Sequence, residues 1–257
     1  MPRLVPGFAR LVLPVVGLAL LGLAWHVYVV AFHVPTAVLP RPALVGGAIV
    51  DNWRLLVSEG ETTLLESLYG FLLAFALGVP LAVMIAASPT LNLMFYPLLI
   101  ATQSVPKVAL APLILVWLGI GMESKLAIAW LVAFFPVVVD TATGLRNTPP
   151  ELIDLATSVR ASGWQTFWKI RFPAALPFVL SGCKVAITLA VIGAVIGEFV
   201  GSNEGLGNLL LVANSQVNEP LAFAALFALA VLGIALYAAV AAVELALSPW
   251  FGTAAHG

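Results

Sequence analysis

The stretch ELIDLATSVRASGWQTFWKIRFPAALP, residues 151–177, is polar and amphipathic, while the sequence on either side of it is apolar. The whole chain of 257 residues is 62% hydrophobic and only 9% charged. An ordinary soluble domain carries about 25% charged residues. Because a water-soluble core could not bury so many apolar side chains, we predict a single integral membrane domain over residues 1–257, interrupted by one polar functional element.

The apolar runs around this stretch are long enough to cross a bilayer. A hydrocarbon core about 30 Å thick requires about 20 apolar residues in a helix. The runs are continuous and do not alternate, which favours helices over barrel strands. The third run contains Pro97, Pro106 and Pro112, so we expect a kinked or discontinuous helix there. The predicted fold is an all-α bundle of about six transmembrane helices at residues 11–32, 64–87, 93–119, 125–145, 174–199 and 221–247.

The basic residues indicate the orientation of this bundle. One side collects more of them than the other, namely Arg3, Arg10, Arg146, Arg160, Lys169 and Arg171 against Arg41, Arg54 and Lys125. Since cytoplasmic loops are richer in lysine and arginine, we expect both termini and residues 151–177 in the cytoplasm. Residues 11–32 are too long for a typical signal-peptide core and are predicted to be a retained anchor. A short interfacial helix is expected outside, at residues 43–56.

The polar stretch itself predicts two short helices joined by a turn. Thr148 and Glu151, with proline between them, have the pattern of a capping box at a helix start. Ser162–Gly163 is expected to be the turn, and Pro173 to begin the next membrane span. Apolar spacing marks one face on each helix, formed by Leu152, Leu155, Ala156 and Val159 and by Trp164, Phe167 and Trp168. Spacing alone leaves two interpretations open: an element lying on the bilayer surface, or a docking surface for a soluble partner.

The stretch resembles the EAA loop of ABC importer permease subunits. That pattern is Glu-Ala-Ala, three residues, Gly, nine residues, Ile, one residue and Leu-Pro. Here residues 154–156 occupy the first positions, Ile170 falls on the isoleucine, and Phe172–Pro173 stand for Leu-Pro. Arg160 stands where the family has glycine, with Gly163 three residues on. Either the turn has moved to Gly163, or Arg160 adopts or avoids the backbone geometry that glycine allows.

The resemblance extends over roughly residues 35–250. Further blocks are similar to the nitrate, sulfonate and taurine branch of these permeases, which also includes permeases for bicarbonate and for pyrimidine or vitamin precursors. These blocks are residues 38–42, 104–112 and 117–121, Gly197–Glu198, and residues 205–207. The resemblance therefore indicates the branch but does not fix the solute.

The resemblance implies a type I ABC importer permease fold and the role of a transmembrane permease subunit. In this role the cytoplasmic coupling loop, about residues 147–172, docks on an ATP-binding subunit. The residues implied in docking are Glu151, Leu152, Asp154, Leu155, Ala156, Val159, Arg160, Gly163, Trp164, Ile170, Phe172 and Pro173. The implied partners are two ATP-binding subunits, an extracytoplasmic solute-binding protein and a second permease copy in a homodimer, all at the lipid bilayer of a bacterial inner membrane.

Several functions are disfavoured by what the sequence lacks. There is no G-x-x-x-x-G-K-[ST] sequence, so the chain has no phosphate cradle and is not expected to be an enzyme. ATP and Mg²⁺ are expected on the partner subunit, and no cofactor or metal in this chain. A net charge of −1 disfavours nucleic acid as a partner. The alternative function, a stand-alone secondary transporter or channel, should show inverted repeats or an ion-coupling cluster, and we find neither.

Three charged residues inside apolar runs are candidates for the translocation path or gate, namely Lys107, Lys184 and Glu198. Two inward-facing lysines would favour an anionic solute, because an ammonium group on a lipid face is costly. The alternative is that they are structural, paired with Asp140, Glu198 or backbone carbonyls. Glu198 itself is either near the outer gate or a wetted carboxylate at a helix end.

A glycine stripe at Gly193, Gly197 and Gly201 predicts close helix packing. This packing is either within one subunit or between two, and we favour packing near the dimer axis.

Overall fold

The computed structural model describes residues 7–251, and every regular element in this range is helical. Arg3, which the orientation argument counts, lies outside the described residues. The α-helices are α1 (Gly7–Ala31), α2 (Pro42–Asp51), α3 (Trp53–Ala87), α4 (Pro89–Gln103), α5 (Ala111–Leu118), α6 (Met122–Arg146), α7 (Pro150–Ser158), α8 (Gly163–Thr166), α9 (Phe172–Gly201), α10 (Leu206–Ser215) and α11 (Glu219–Phe251). A 3₁₀ turn at Lys107–Leu110 precedes α5, and a π-helical turn at Phe167–Arg171 joins α8 to α9.

Five helical segments in the described residues are long and apolar enough to cross a membrane, and one bent pair of helices passes the same test together, as a broken span or a re-entrant loop. The five are Val12–Ala31, Trp53–Ala87, Met122–Arg146, Gly163–Gly201 and Glu219–Pro249. The bent pair, Pro89–Thr102 and Lys107–Leu118, turns by 85° at the break. The predicted all-α bundle is therefore confirmed, with its discontinuity in the third run. Proline at position 106 explains the break, because it cannot donate a backbone hydrogen bond.

Two helix boundaries differ from the prediction. The second span begins at Trp53, where Asn52 separates it from α2, so the predicted interfacial helix is shorter and the span longer. The fifth span does not begin at Pro173; one continuous helical segment of 39 residues runs from Gly163 to Gly201. In the π-helical turn before Pro173, the Phe172 N–H donates to the Phe167 carbonyl. This shifted register accommodates a proline without ending the helix.

Helices α6 and α9 form the centre of the bundle and pack antiparallel through small residues. A Cβ atom added at Gly193 would lie 2.6 Å from the Ala129 Cα, and one at Gly144 would lie 2.6 Å from the Phe178 Cβ. Fully buried alanines and valines fill the remaining contact, including Ala133 and Ala190. In a bilayer there is no hydrophobic driving force between helices, so membrane helices associate through such close packing of small residues.

The glycine stripe of α9 belongs to this internal contact. Gly193 faces Ala129, Gly197 faces Lys125, and Gly201 faces Leu115 of the same chain. These contacts support the alternative of packing within the subunit, while the placement near the dimer axis stays a prediction.

The outermost helices α1 and α11 keep large apolar faces uncovered. Trp25 of α1 packs against Phe223 and Phe227 of α11, with ring centroids 5.9 Å and 6.2 Å apart. Leu21 on α1 and Ile234 on α11 remain largely exposed. Apolar surface of this extent fits a bilayer or a second subunit and does not fit water.

Candidate functional site

The polar stretch forms a compact segment at one end of the bundle, between α6 and α9. Helix α7 begins at Pro150, with Pro149 as its N-cap. The Thr148 hydroxyl instead donates to the Leu145 carbonyl at 3.2 Å. The predicted capping box of Thr148 and Glu151 is therefore wrong: the helix starts one residue later, and Glu151 is its second residue.

A capping box does occur in this segment, at the start of α8. The Ser162 hydroxyl accepts from the Gln165 N–H at 3.2 Å, and the Ser162 N–H donates to Gln165 Oε1 at 2.9 Å. The residues predicted as a turn are thus a helix N-terminus. Helix α8 is the first turn of the long segment that continues into α9. The prediction of two short helices is therefore correct for α7 only, because α8 is not a separate helix.

The turn between α7 and α8 lies at Arg160, which adopts a left-handed backbone conformation with φ 54°. The Ala161 N–H donates to the Ala156 carbonyl at 2.9 Å, and the Arg160 N–H donates to the Thr157 carbonyl at 3.0 Å. This pair of bonds is the Schellman arrangement that commonly ends helices with glycine. Arg160 therefore keeps the geometry of the glycine position, and the turn has not moved to Gly163, which is the first residue of α8.

The apolar face of α7 is divided between outside and inside. Leu155 is 58% exposed and Val159 is 68% exposed, and Leu152 and the charged Asp154 are exposed beside them. Ala156 is only 4% exposed and faces the chain itself. Helix α7 and its C-cap Val159 therefore present large apolar side chains outward, and the helix is seated through the buried Ala156.

An aromatic ladder stiffens the passage from α8 into α9. The ring centroids of Trp164 and Trp168 are 5.5 Å apart, and those of Trp168 and Phe172 are 5.2 Å apart. The two tryptophans are exposed, while Ile170, Phe172 and Pro173 are half-buried. Contacts at successive turns of one helix favour a rigid connection between the segment and the membrane span.

A buried polar cluster lies towards the opposite end of the bundle. The Thr63 hydroxyl on α3 donates to Glu198 Oε1 on α9 at 2.6 Å. Glu198 Oε2 accepts from the Gly207 N–H at 2.5 Å, and Thr63 accepts from the Leu206 N–H at 2.9 Å. Glu198 is 1% exposed. Its carboxylate therefore satisfies the Gly207 N–H at the start of α10, where negative charge is favoured, and Thr63 satisfies the Leu206 N–H.

Lys125 and Glu66 form a buried ion pair in the same region. The Lys125 ammonium also donates to the Ser202 hydroxyl at 3.0 Å, in the loop before α10. The Gly205 N–H in that loop donates to Glu59 Oε2 at 2.5 Å. A side chain at Gly205 or Gly207 would collide with the Glu198 carboxylate. The separate blocks at 197–198 and 205–207 are thus one structural unit.

Sequence reasoning considered Glu198 but missed its hydrogen-bond partner Thr63 and the nearby ion pair of Glu66 with Lys125. A glutamate inside the second apolar run was the available signal, because a charged residue in a membrane span is expected to have a partner. The Glu198 carboxylate is buried and hydrogen-bonded, so it is not a wetted carboxylate at a helix end, and a place near the outer gate stays a prediction.

The two lysine candidates have different surroundings. Lys184 Nζ lies 2.7 Å from Glu244 Oε2 on α11, and both side chains are partly exposed. Lys107 Nζ lies 5.0 Å from the centre of the Phe135 ring. The structural alternative for Lys184 was right in kind but wrong in partner, because Glu244 and not Asp140 or Glu198 neutralises it. Lys184 therefore offers no free positive charge to a solute, and only Lys107 still supports the argument for an anionic solute.

The described residues contain several membrane-spanning helices, a polar segment fused to a central span, and no soluble domain. This combination defines a multi-pass membrane transport subunit. Residues 78–250 match the family described as binding-protein-dependent transport system inner membrane component. The chain belongs to this family. It is therefore a permease component of an ABC importer, and it is not an enzyme, because ATP hydrolysis is carried out by a separate subunit in this family. The alternative of a stand-alone transporter is set aside.

Relatives and a solved structure agree with this assignment. The riboflavin transport system permease protein RibX of Chloroflexus aurantiacus is 37% identical over 240 residues, covering 91% of this chain and 88% of RibX. The formylaminopyrimidine transport permease protein ThiX of Halalkalibacterium halodurans is 36% identical over 213 residues, covering 82% and 85%. The inward-facing MetNI methionine ABC transporter matches with a TM-score of 0.67 at 20% identity, over 76% of this chain and 97% of that chain. It shows the type I importer fold.

Proposed function

We propose that residues 147–172 are the surface on which an ATP-binding subunit docks. The observation that carries this proposal is the unbroken helix from Gly163 to Gly201, because a displacement of the segment moves a central membrane span directly. The exposed side chains Leu152, Leu155 and Val159 supply an apolar contact, and Glu151 and Asp154 beside them supply charges that fix its register. Ala156 contributes by seating α7 and not by touching the partner.

The working unit we propose is a homodimer with two ATP-binding subunits. Each chain has one such segment within the described residues. The largely exposed apolar faces of α1 and α11 offer surface for a second copy as well as for lipid. ATP and Mg²⁺ would be bound by the partner subunits alone.

The orientation we propose places both termini and the docking segment in the cytoplasm of a bacterial cell, with the chain in its inner membrane. ATP is available on that side, and the excess of basic residues agrees with it. The loop at 202–205 and α10 then face outward, where an extracytoplasmic binding protein would deliver the solute.

The solute we propose is a small heterocyclic compound. Two relatives at 36% and 37% identity are named for formylaminopyrimidine and riboflavin. The pairing of Lys184 with Glu244 removes one of the two charges that favoured an anion such as a sulfonate. Uptake of labelled riboflavin and pyrimidine precursors, compared with sulfonates, tests this part; uptake of sulfonates alone would contradict it.

The docking proposal is tested by Leu155→Asp, which places a charge at the centre of the exposed face of α7. Val38→Asp is the matched control, because Val38 is also a largely exposed apolar residue but lies in the connector between α1 and α2. In Leu155→Asp we expect at least a tenfold loss of co-purified ATP-binding subunit and of uptake, with the permease still in the membrane. Val38→Asp should keep both. Equal co-purification in the two variants would overturn the docking assignment.

A further inference from the structure

Two adjoining cavities lie between the docking segment and the ends of α3 and α6. The first has a volume of about 480 Å³ and is walled mainly by apolar side chains, among them Val83, Trp164 and Phe167. The second has a volume of about 380 Å³ and is more polar, with Arg146, Thr148 and Asp154 in its wall. Ala86, Leu145 and Arg171 line both. An apolar compartment and a polar compartment thus lie side by side, with Arg171 in the wall of both.

The polar compartment carries a net positive charge. Arg171 is half-buried and takes part in no ion pair within residues 7–251. Arg146 is held in place by a 3.3 Å hydrogen bond to Asn92 Oδ1 and by stacking over the Tyr96 ring at 5.0 Å, neither of which neutralises its charge. Asp154 is the one carboxylate lining either cavity, so two guanidinium groups face one acid. Guanidinium groups bind phosphate through paired, charge-assisted hydrogen bonds.

The position of the two cavities favours an anionic phospholipid over a free anion. Helix α3 ends at Ala87 and α6 at Arg146, so the cavities lie where membrane spans reach the end of the bundle. Trp164 lines the apolar cavity, and tryptophans are enriched at the boundary between bilayer and water. A free phosphate would fill only the polar compartment. An anionic phospholipid matches both compartments, with its phosphate at the arginines and an acyl chain in the apolar part.

We propose that this site binds one anionic phospholipid per chain, with the phosphate on Arg171 and Arg146 and an acyl chain against Trp164 and Phe167. Basic pockets at the ends of membrane helices are suited to such headgroups. The bound lipid fills the space between the docking segment and α3. If residues 147–172 dock the ATP-binding subunit as proposed above, the lipid braces that segment against the membrane domain; the binding itself does not depend on that role.

The test measures quenching of Trp164 fluorescence by phospholipids with brominated acyl chains, in the purified full-length chain in nanodiscs. The quenching of Trp164 is the difference between the chain and Trp164→Phe. Brominated phosphatidylglycerol and brominated phosphatidylcholine are compared at the same fraction of the lipid. Random contact with the bilayer quenches equally in both cases, whereas the site predicts stronger quenching by phosphatidylglycerol.

Arg171→Gln should weaken the apparent phosphatidylglycerol affinity about fivefold, the effect of removing one basic group near a membrane surface. Arg171→Lys keeps the charge and should keep most of the selectivity, which separates loss of the site from loss of folding. Arg54→Gln is the matched control, because Arg54 is an exposed arginine at the other end of α3, stacked on Trp53. It should change nothing.

Three results would overturn the proposal. The first is equal quenching by the two brominated lipids. The second is a selectivity that Arg171→Gln leaves intact or that Arg54→Gln reduces equally, which would indicate general surface charge. The third is displacement of phosphatidylglycerol by millimolar inorganic phosphate at constant ionic strength, which would indicate a free-anion site.

Discussion

Glu198 Oε1 lies 2.6 Å from the hydroxyl of Thr63, so a carboxylate on α9 and a hydroxyl on α3 share the task of binding the start of α10. The cluster is almost fully buried, and each of its hydrogen bonds joins different helices. Polar contacts of this kind are costly to leave unsatisfied in an apolar interior. They therefore fix how the loop at 202–205 and α10 sit on the central helices, at the end of the bundle away from residues 147–172.

Glu198→Ala should destabilise the permease strongly. The substitution leaves the Thr63 hydroxyl and the Gly207 N–H without their shared acceptor, at a cost of about 1.5–3 kcal/mol for each hydrogen bond to a charged group. The unfolding midpoint of the detergent-purified chain measures the effect. Glu204 is an exposed carboxylate in the neighbouring loop at 202–205, so Glu204→Gln should leave the midpoint unchanged. Equal midpoints for the two variants would show that the cluster is dispensable for stability.

The single variant Lys125→Met should be less stable than the double variant Lys125→Met with Glu66→Leu. The single change leaves a buried carboxylate unpaired, which costs about 3–5 kcal/mol, whereas replacing both partners with apolar groups is often neutral. The yield of folded protein in the membrane and the unfolding midpoint both report this. A double variant less stable than the single one would mean that the ion pair itself is needed to specify the packing of α3 on α6.

Arg160→Gly should stabilise the docking segment by about 1 kcal/mol, because glycine occupies the left-handed region without the steric cost of a Cβ atom. Arg160→Val should reduce uptake, since a β-branched residue is strained in that conformation. Gly163→Ala should be tolerated, because a Cβ atom there would have no neighbour within 4 Å. Uptake assays on the three variants decide the matter, and loss of function in Gly163→Ala with none in Arg160→Val would place the turn at Gly163 after all.

Lys184→Met should impair uptake to the same extent for neutral and anionic solutes. Its partner Glu244 is left without a countercharge in a membrane-spanning helix, which is a structural defect and not the loss of a solute contact. The double variant Lys184→Met with Glu244→Gln should recover much of the activity. Recovery for neutral solutes only would instead show that the ammonium group itself meets an anionic cargo.

The sequence by itself determined the membrane class, the spans, the break in the third span, and the position and resemblance of residues 151–177. Each of these depends on local properties: the length of apolar runs, the placement of prolines, and the spacing of residues along one segment. Helix ends do not depend on local properties alone. Threonine, proline and glutamate at 148–151 allow two N-caps, and only neighbouring contacts choose Pro149 over Thr148.

Only the tertiary structure decided which side chains meet. Thr63 and Glu198 are 135 residues apart in sequence, and Lys184 and Glu244 are 60 residues apart. No local pattern pairs them, because their contact depends on which helices pack together and at what rotation. The same dependence turned Ala156 inward on an apolar face that the sequence treats as uniform, and it set Arg160 in a conformation that its side chain does not favour. In each case the packing of helices outweighed the preference of the single residue.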